Sequence, residues 1–145
     1  MRLASPIANP NMKYAVKSIL RDKLDKDPEE REMLEQELHI LMEVDHPNIV
    51  KFYESYCDSK YYRIVMEYCE GGDLFDHLKE RTRFSEKEGV IIVQQLLSAI
   101  KYLHDLNIAH RDLKPENVIF VGGNEGNVKL IDFGLSKIQA FEGKQ

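Results

Sequence analysis

The 145-residue sequence is short of several things, and each shortage removes a class of function. It holds only two cysteines, Cys57 and Cys69. They make neither a disulfide framework nor a zinc motif, so a reducing, cytoplasmic setting is expected. The apolar runs are far too short to span a membrane, and the N-terminus has no signal-peptide core. Positive charge is not in excess: 20 Lys and Arg stand against 25 Asp and Glu, a formal net charge of −5. That balance leaves no basic footprint for nucleic acid. There is no internal repeat and no low-complexity tract. No glycine precedes Lys17. The length suffices for one compact domain with a core, and the composition is ordinary for a globular chain.

What is present is concentrated in two stretches. Residues 110–117 read His110-Arg111-Asp112-Leu113-Lys114-Pro115-Glu116-Asn117, and fifteen residues after Asn117 comes Asp132-Phe133-Gly134. These groups suit phosphoryl transfer, which needs a hydroxyl aimed at the γ-phosphorus and cations on the phosphate oxygens. Asp112 is an acceptor able to orient and deprotonate a Ser or Thr hydroxyl. Lys114 can neutralise charge on the transferring group. Asn117 offers a neutral amide oxygen and Asp132 a carboxylate. Both are hard ligands of the kind magnesium takes beside nucleotide phosphates. Pro115 fixes its own φ and stiffens the loop. Taken singly, each residue is as readily a cap, a solvated charge or a turn residue. At their joint spacing, chance matching is negligible.

Together the two stretches resemble the catalytic loop and the magnesium-binding triplet of the protein kinases. Lys114, two after Asp112, is similar to the serine/threonine branch. Tyr14-Ala15-Val16-Lys17 looks like the kinase third strand, whose Lys holds the α and β phosphates, and Glu37 matches its helix partner. Outside that resemblance, Lys17 and Glu37 read as two surface charges on separate elements. Residues 64–73 look like the last small-lobe strand and the hinge. The resemblance places Met66 at the back of the adenine pocket. It aims the Glu67 carbonyl and the Cys69 backbone at the adenine edge. Asp73 is implied near the ribose, and Asp73 with Glu116 near a substrate arginine. Ala15, Glu116 and Ile119 complete the implied nucleotide-binding set. Leu41, Phe52, His110 and Phe133 match the stacked side chains that join the lobes. The implied roles are then Lys17, Glu37, Asp112 and Lys114 as catalytic, and Asn117 and Asp132 as metal ligands. ATP and magnesium follow as cofactors, with Ser/Thr proteins carrying nearby basic residues as substrates. Nucleic acid and membrane are not expected partners.

Residues 66–76, with Asp45-His46-Pro47-Asn48-Ile49 and Asp132-Phe133-Gly134-Leu135-Ser136, are similar to the calmodulin-dependent and calcium-dependent kinases. No EF-hand loop occurs here, so a calcium-sensor domain is expected only in a parent protein. The implied fold is α+β and bilobal but incomplete. Residues 1–66 are expected to form part of a small-lobe antiparallel sheet plus a helix, 67–72 a hinge, and 73–145 the start of a helical large lobe. No Gly-rich loop precedes Lys17 and no Ala-Pro-Glu follows Gly134. An open sheet edge, an uncovered helix face and marginal stability are therefore expected. The alternative to a kinase fragment is a catalytically inactive module that binds partners through those faces.

Local patterns give expected elements. Residues 1–11 read as a loose lead-in, with a turn at Asn9-Pro10-Asn11-Met12, and 12–20 as a strand. Lys23 to Asp27 reads as a polar connection. Asp27-Pro28-Glu29-Glu30 reads as a helix start in which Asp27 caps and Glu30 reaches back. Met33, Leu34, Leu38 and Leu41 then fall at helical spacing. His46, in a turn beside proline, reads as structural. Strands are expected at 50–56 and 61–68, and a short helix from Asp73. Ser85-Glu86-Lys87-Glu88 is a capping box. It opens a helix over 86–104 with Val90, Val93, Leu97 and Ile100 on one face and Ile92, Leu96 and Leu103 close by. A hairpin is expected from 118–120 and 128–131 around residues 122–127.

Overall fold

The structure is a computed structural model that describes residues 2–4, 12–81, 83–122, 126–134 and 136–138. In chain order the elements are β1 (Arg2–Ala4), β2 (Tyr14–Leu20), α1 (Arg21–Lys26), α2 (Pro28–Glu43), β3 (Phe52–Cys57) and β4 (Tyr61–Glu67). Then come α3 (Leu74–Arg81), α4 (Glu86–Asp105), β5 (Ile108–Ala109), a 3-10 turn (Pro115–Asn117), β6 (Val118–Phe120), β7 (Val128–Leu130) and β8 (Lys137–Ile138). The architecture is α+β. A four-stranded antiparallel sheet in the order β1-β2-β4-β3 lies in the first part, and helices with two small two-stranded pairings fill the second.

Two expectations for the first part are corrected. Arg2–Ala4 is not loose lead-in: it pairs antiparallel with β2, Arg2 opposite Val16 and Ala4 opposite Tyr14. The open edge expected on β2 is thus covered along that stretch, because backbone groups alone suffice to add a strand. The connection after β2 is not irregular: Arg21–Lys26 is a helix. One apolar residue, Leu24, is buried, while Asp22 and Lys26 pair four residues apart at 2.7 Å, a spacing that supports a helix without a hydrophobic stripe. The turn at residues 9–11 and the tip of the hairpin at 123–125 lie outside the described residues.

Helix α2 begins as its sequence dictates. The Asp27 carboxylate accepts the Glu29 and Glu30 N–H groups at 3.0 and 3.1 Å, and Pro28 takes the first turn. Glu30 does not reach back; it pairs with Lys23 of α1 instead. Leu34, Leu38 and Leu41 are buried, with Ile40 fully so, as the helical spacing requires. They share one hydrophobic cluster with Ile64 and Met66 of the sheet and with Leu103, Val128, Leu130 and Phe133 of the second part. Each such side chain contributes about 1.5–3 kcal/mol by its removal from water. One core therefore runs through both parts.

Helix α4 opens with the expected capping box: the Ser85 N–H donates to Glu88 Oε2 at 2.8 Å and the Glu88 N–H to Ser85 Oγ at 3.3 Å. The face it buries is the one carrying Ile92, Ala99 and Leu103. The stripe of Val90, Val93 and Leu97 is 48%, 52% and 59% exposed. Spacing alone cannot tell two apolar stripes apart; the contacts of α4 with β7 and β5 decide which one is covered. No helix among the described residues is long and apolar enough to cross a membrane.

Candidate active site

Strand alternation builds one wall of a cleft. Ala15 and Lys17 project from the same face of β2, and Met66 stands opposite Ala15 on β4. Helix α2 brings Glu37 to that face. The Lys17 ammonium donates to both carboxylate oxygens of Glu37 at 2.8 Å, across twenty residues of sequence. Glu37 would otherwise be an uncompensated charge on the buried side of α2, where its side chain is 7% exposed. The surface-charge reading of this pair therefore fails.

The opposite wall comes from irregular backbone. Lys17, Glu37, Ala15, Met66, Glu67, Cys69, Ile119, Asn117 and Asp132 all line one cavity of about 290 Å³. Leu41 and Phe133 line it too, and Phe133 meets the His110 ring edge-on at 5.0 Å between centroids. Phe52 packs partly buried against the same core. A larger cavity of about 630 Å³ between α1, α2 and the β3–β4 turn holds none of the expected site residues.

Asp112 lies one hydrogen bond from the cavity lining. Asn117 Nδ2 donates to the Asp112 backbone carbonyl at 2.9 Å and to Asp112 Oδ2 at 3.0 Å. The amide oxygen of Asn117 is then the part of that side chain able to ligate a hard cation. Lys114 Nζ stands 3.1 Å from Asp112 Oδ2. The Lys114 ammonium holds the Asp112 carboxyl below the usual carboxylate range, and Asp112 raises Lys114 in return. Asp112 is thus an ionised acceptor at neutral pH.

Backbone conformation aims these groups. Arg111 and Asp132 both have left-handed φ, 62° and 60°. Such values are uncommon for residues other than Gly and cluster at functional sites. The Gly134 N–H donates to Asp132 Oδ1 at 3.2 Å. A Cβ on Gly134 would stand 3.2 Å from Asp132 Oδ1 and 3.8 Å from Glu37 Oε2, so this glycine lies between the two carboxylates. His110 braces the loop from below: its Nδ1 accepts the Asp112 N–H at 3.3 Å, which leaves Nε2 to donate to the Ile131 carbonyl at 3.3 Å. That pattern requires neutral imidazole, and burial lowers the His110 pKa in the same direction.

Residues 7–144 match the family described as the protein kinase domain. The chain belongs to the protein kinase family. It is 43% identical over 135 residues to a probable myosin light chain kinase of Dictyostelium discoideum, covering 93% of this kinase chain and 27% of the relative. A probable serine/threonine-protein kinase of the same organism is 42% identical over 128 residues, covering 86% of this chain and 17% of the relative. A calcium-dependent protein kinase of Plasmodium falciparum is 44% identical over 106 residues, covering 72% and 19%. The chain thus spans about a quarter or less of the length of these relatives.

Not every expected residue of the kinase chain lines the cavity. Asp73 caps α3: its Oδ1 accepts the Asp76 N–H at 2.8 Å, while its backbone bridges to Ile119. Glu116 is exposed on the 3-10 turn. The Cys69 thiol is buried and pushed up to about 11 by desolvation, which leaves it a protonated, unreactive wall. Among the described residues no group of three or more His, Cys, Asp or Glu is placed to hold a metal alone. The donors available, one carboxylate and one amide oxygen without sulfur or imidazole, fit magnesium, which keeps waters and substrate phosphates as its remaining ligands.

Two positioning residues escaped the sequence reading. Asn48 Nδ2 donates to Gln95 Oε1 at 2.8 Å and to the Val128 carbonyl at 2.9 Å, and Gln95 Oε1 also accepts the Val128 N–H at 3.1 Å. This ties the turn after α2 to the hairpin that leads into Asp132. The signal was present in Gln95, a polar residue among the apolar ones of α4. His46 is structural as read: its Nδ1 accepts the Asn48 N–H at 3.0 Å, and its Nε2 meets Ser98 Oγ at 3.1 Å.

Proposed function

We propose that this chain carries the nucleotide site and phosphoryl-transfer groups of an ATP- and magnesium-dependent serine/threonine protein kinase of the calcium- or calmodulin-dependent type. The observation that carries the reading is the two-oxygen Lys17–Glu37 pair in one cavity with Asn117 and Asp132, one hydrogen bond from Asp112. In this reading residues up to 66 serve as small-lobe part, 67–72 as hinge and the rest as the start of the large lobe. Lys17, oriented by Glu37, grips the α and β phosphates. The Glu67 carbonyl and the Cys69 backbone take the adenine edge, between Ala15, Met66 and Ile119. Asp112 accepts the hydrogen bond of a Ser or Thr hydroxyl and orients it, while Lys114 screens the charge that builds on the phosphoryl group. Asp132 and Asn117 would hold magnesium, whose chemistry there is charge neutralisation on the phosphate oxygens.

The calcium-linked type is supported by the Plasmodium falciparum relative and by residues 66–76. It carries the expectation of a calcium sensor elsewhere in a parent protein. Asp73 and Glu116 favour substrates with basic residues near the phosphorylated position. The free thiols of Cys57 and Cys69 favour a cytoplasmic setting. A second reading, a non-catalytic binding module, is favoured by the exposed Val90, Val93 and Leu97 stripe.

Calorimetric titration of ATP with and without magnesium discriminates the two readings. The kinase reading expects magnesium-dependent binding by the parent chain that is lost in Lys17→Met and in Asp132→Asn. A parent chain that binds no nucleotide, or variants that bind as well as it does, would leave only the binding module.

A further inference from the structure

The chemistry above leaves one largely buried ion pair without a role. Glu67 Oε2 lies 2.8 Å from Lys129 Nζ, and the two side chains are 22% and 15% exposed. Surface pairs of this chain differ: Lys26 and Asp22 are 74% and 77% exposed. The elements it joins are also distinctive. Glu67 ends β4 in the four-stranded sheet, and Lys129 sits mid-way along β7 in the separate hairpin. Three residues after Lys129 the chain reaches Asp132. The same Glu67 Oε2 accepts the Lys51 N–H at 3.2 Å, and the Glu67 N–H donates to the Lys51 carbonyl at 2.8 Å. Glu67 is therefore fixed from both its backbone and its side chain before it meets Lys129.

Desolvation offsets much of the attraction in a pair this buried, so its net worth to stability is small. What it contributes is a side-chain tie between the end of β4 and the middle of β7, beside the backbone ties that join the same two parts at Ile49–Leu130, at Gly71 and Gly72 with Phe120, and at Asp73–Ile119. We propose that Glu67–Lys129 is a positioning clasp that sets the distance between the hinge edge offered to adenine and the Asp132 carboxylate that would hold magnesium. The inference rests on the nucleotide-site reading and deepens it. Glu67 and Lys129 are positioning residues in this role. A ligand that spans both ends feels the clasp; a ligand that touches only the hinge end does not.

The test compares magnesium-ATP with adenosine on the whole chain. Both affinities are measured for the parent, Lys129→Met, Lys129→Arg and the charge exchange Glu67→Lys with Lys129→Glu, with urea midpoints alongside. Lys129→Met is expected to weaken magnesium-ATP about tenfold, or ~1.4 kcal/mol, and adenosine less than about twofold. Lys129→Arg, which keeps the charge, is expected to recover most of the loss; the exchange restores the ion pair but leaves the Lys51 N–H without its acceptor, so it is expected to recover less. Equal weakening of both ligands in step with a lowered midpoint would show a merely structural pair and overturn the clasp. So would a Lys129→Met chain that binds both ligands like the parent, and in that case the nucleotide-site reading stands. A parent that binds neither ligand overturns that reading, and the clasp with it.

Discussion

The two walls of the cleft are made by different means. In the sheet wall, Ala15, Lys17 and Met66 sit on regular strands and Glu37 on a regular helix, so register and helical spacing fix every site side chain. In the facing wall, Asp112 and Asp132 sit on backbone outside any strand or helix, next to or at residues with left-handed φ. There, a few hydrogen bonds do what register does opposite: Asn117 donates to the Asp112 carbonyl and carboxylate, His110 accepts the Asp112 N–H, and Gly134 donates to Asp132. The difference teaches where damage is local and where it spreads. A change on the sheet wall removes a side chain while register holds the backbone, and its effect reaches no further than a direct partner such as Glu37 beside Lys17. A change on the loop wall removes a support, and several groups move.

The sharpest probe is a change that removes chemistry from the loop wall without removing a support. Asp112→Asn keeps the shape and the Asn117 contact; on the proposed kinase reading, and in a longer protein that carries this chain, it is expected to slow peptide phosphorylation by about 10²–10⁴-fold while leaving magnesium-ATP affinity nearly unchanged. Equal loss in both assays would break the assigned role. Next comes the core under that wall. Phe133 is 1% exposed, and Phe133→Ala is expected to cost about 3–5 kcal/mol in urea unfolding. Smaller is the effect at the connection between the walls. A Cβ on Gly71 would meet Phe120 Cβ at 2.5 Å and its carbonyl oxygen at 2.6 Å. Gly71→Ala is expected to cost about 1–3 kcal/mol and to weaken nucleotide binding with it.

Acidity separates the walls more gently. Burial lowers the pKa of His110, and of His46, from an ordinary value of 6.5. The unfolded chain then binds more protons than the folded one as pH falls through about 6.5, so stability is full above that value and declines below it. Urea midpoints at pH 7.5 and 5.5 are expected to show the decline, and replacing His46 and His110 should flatten it. The smallest expected change lies far from both walls: Ser85→Ala removes one arm of the capping box, for about 1 kcal/mol and no change in nucleotide affinity.

How much was legible in the sequence follows the same division. The chemical groups were legible, because Asp112, Lys114, Asn117 and Asp132 stand at fixed spacings. The pairing of Lys17 with Glu37 was legible from resemblance, and the caps at Asp27 and Ser85 from local chemistry. What escaped were features made by partners distant in sequence. Three residues of β1 carry no periodicity of their own; β2 makes them a strand. Helix α1 has one buried apolar residue and is held by charge pairs. The face that α4 buries is chosen by the hairpin it meets. Asn48 and Gln95 looked like loop and surface residues until the hairpin stood beside them.

The Asn48 contact to the Val128 carbonyl bridges 80 residues of chain. Contacts of that reach form late and slow a folding reaction, because loop closure must precede any gain from them. During synthesis at roughly 5–20 residues per second, the sheet wall, complete at Glu67, would emerge about 3 to 13 s before the hairpin that completes the cleft at Leu130. Through that interval Leu41 and Met66 are core residues without their core, and the newborn sheet wall is the natural client of whatever shelters nascent chains.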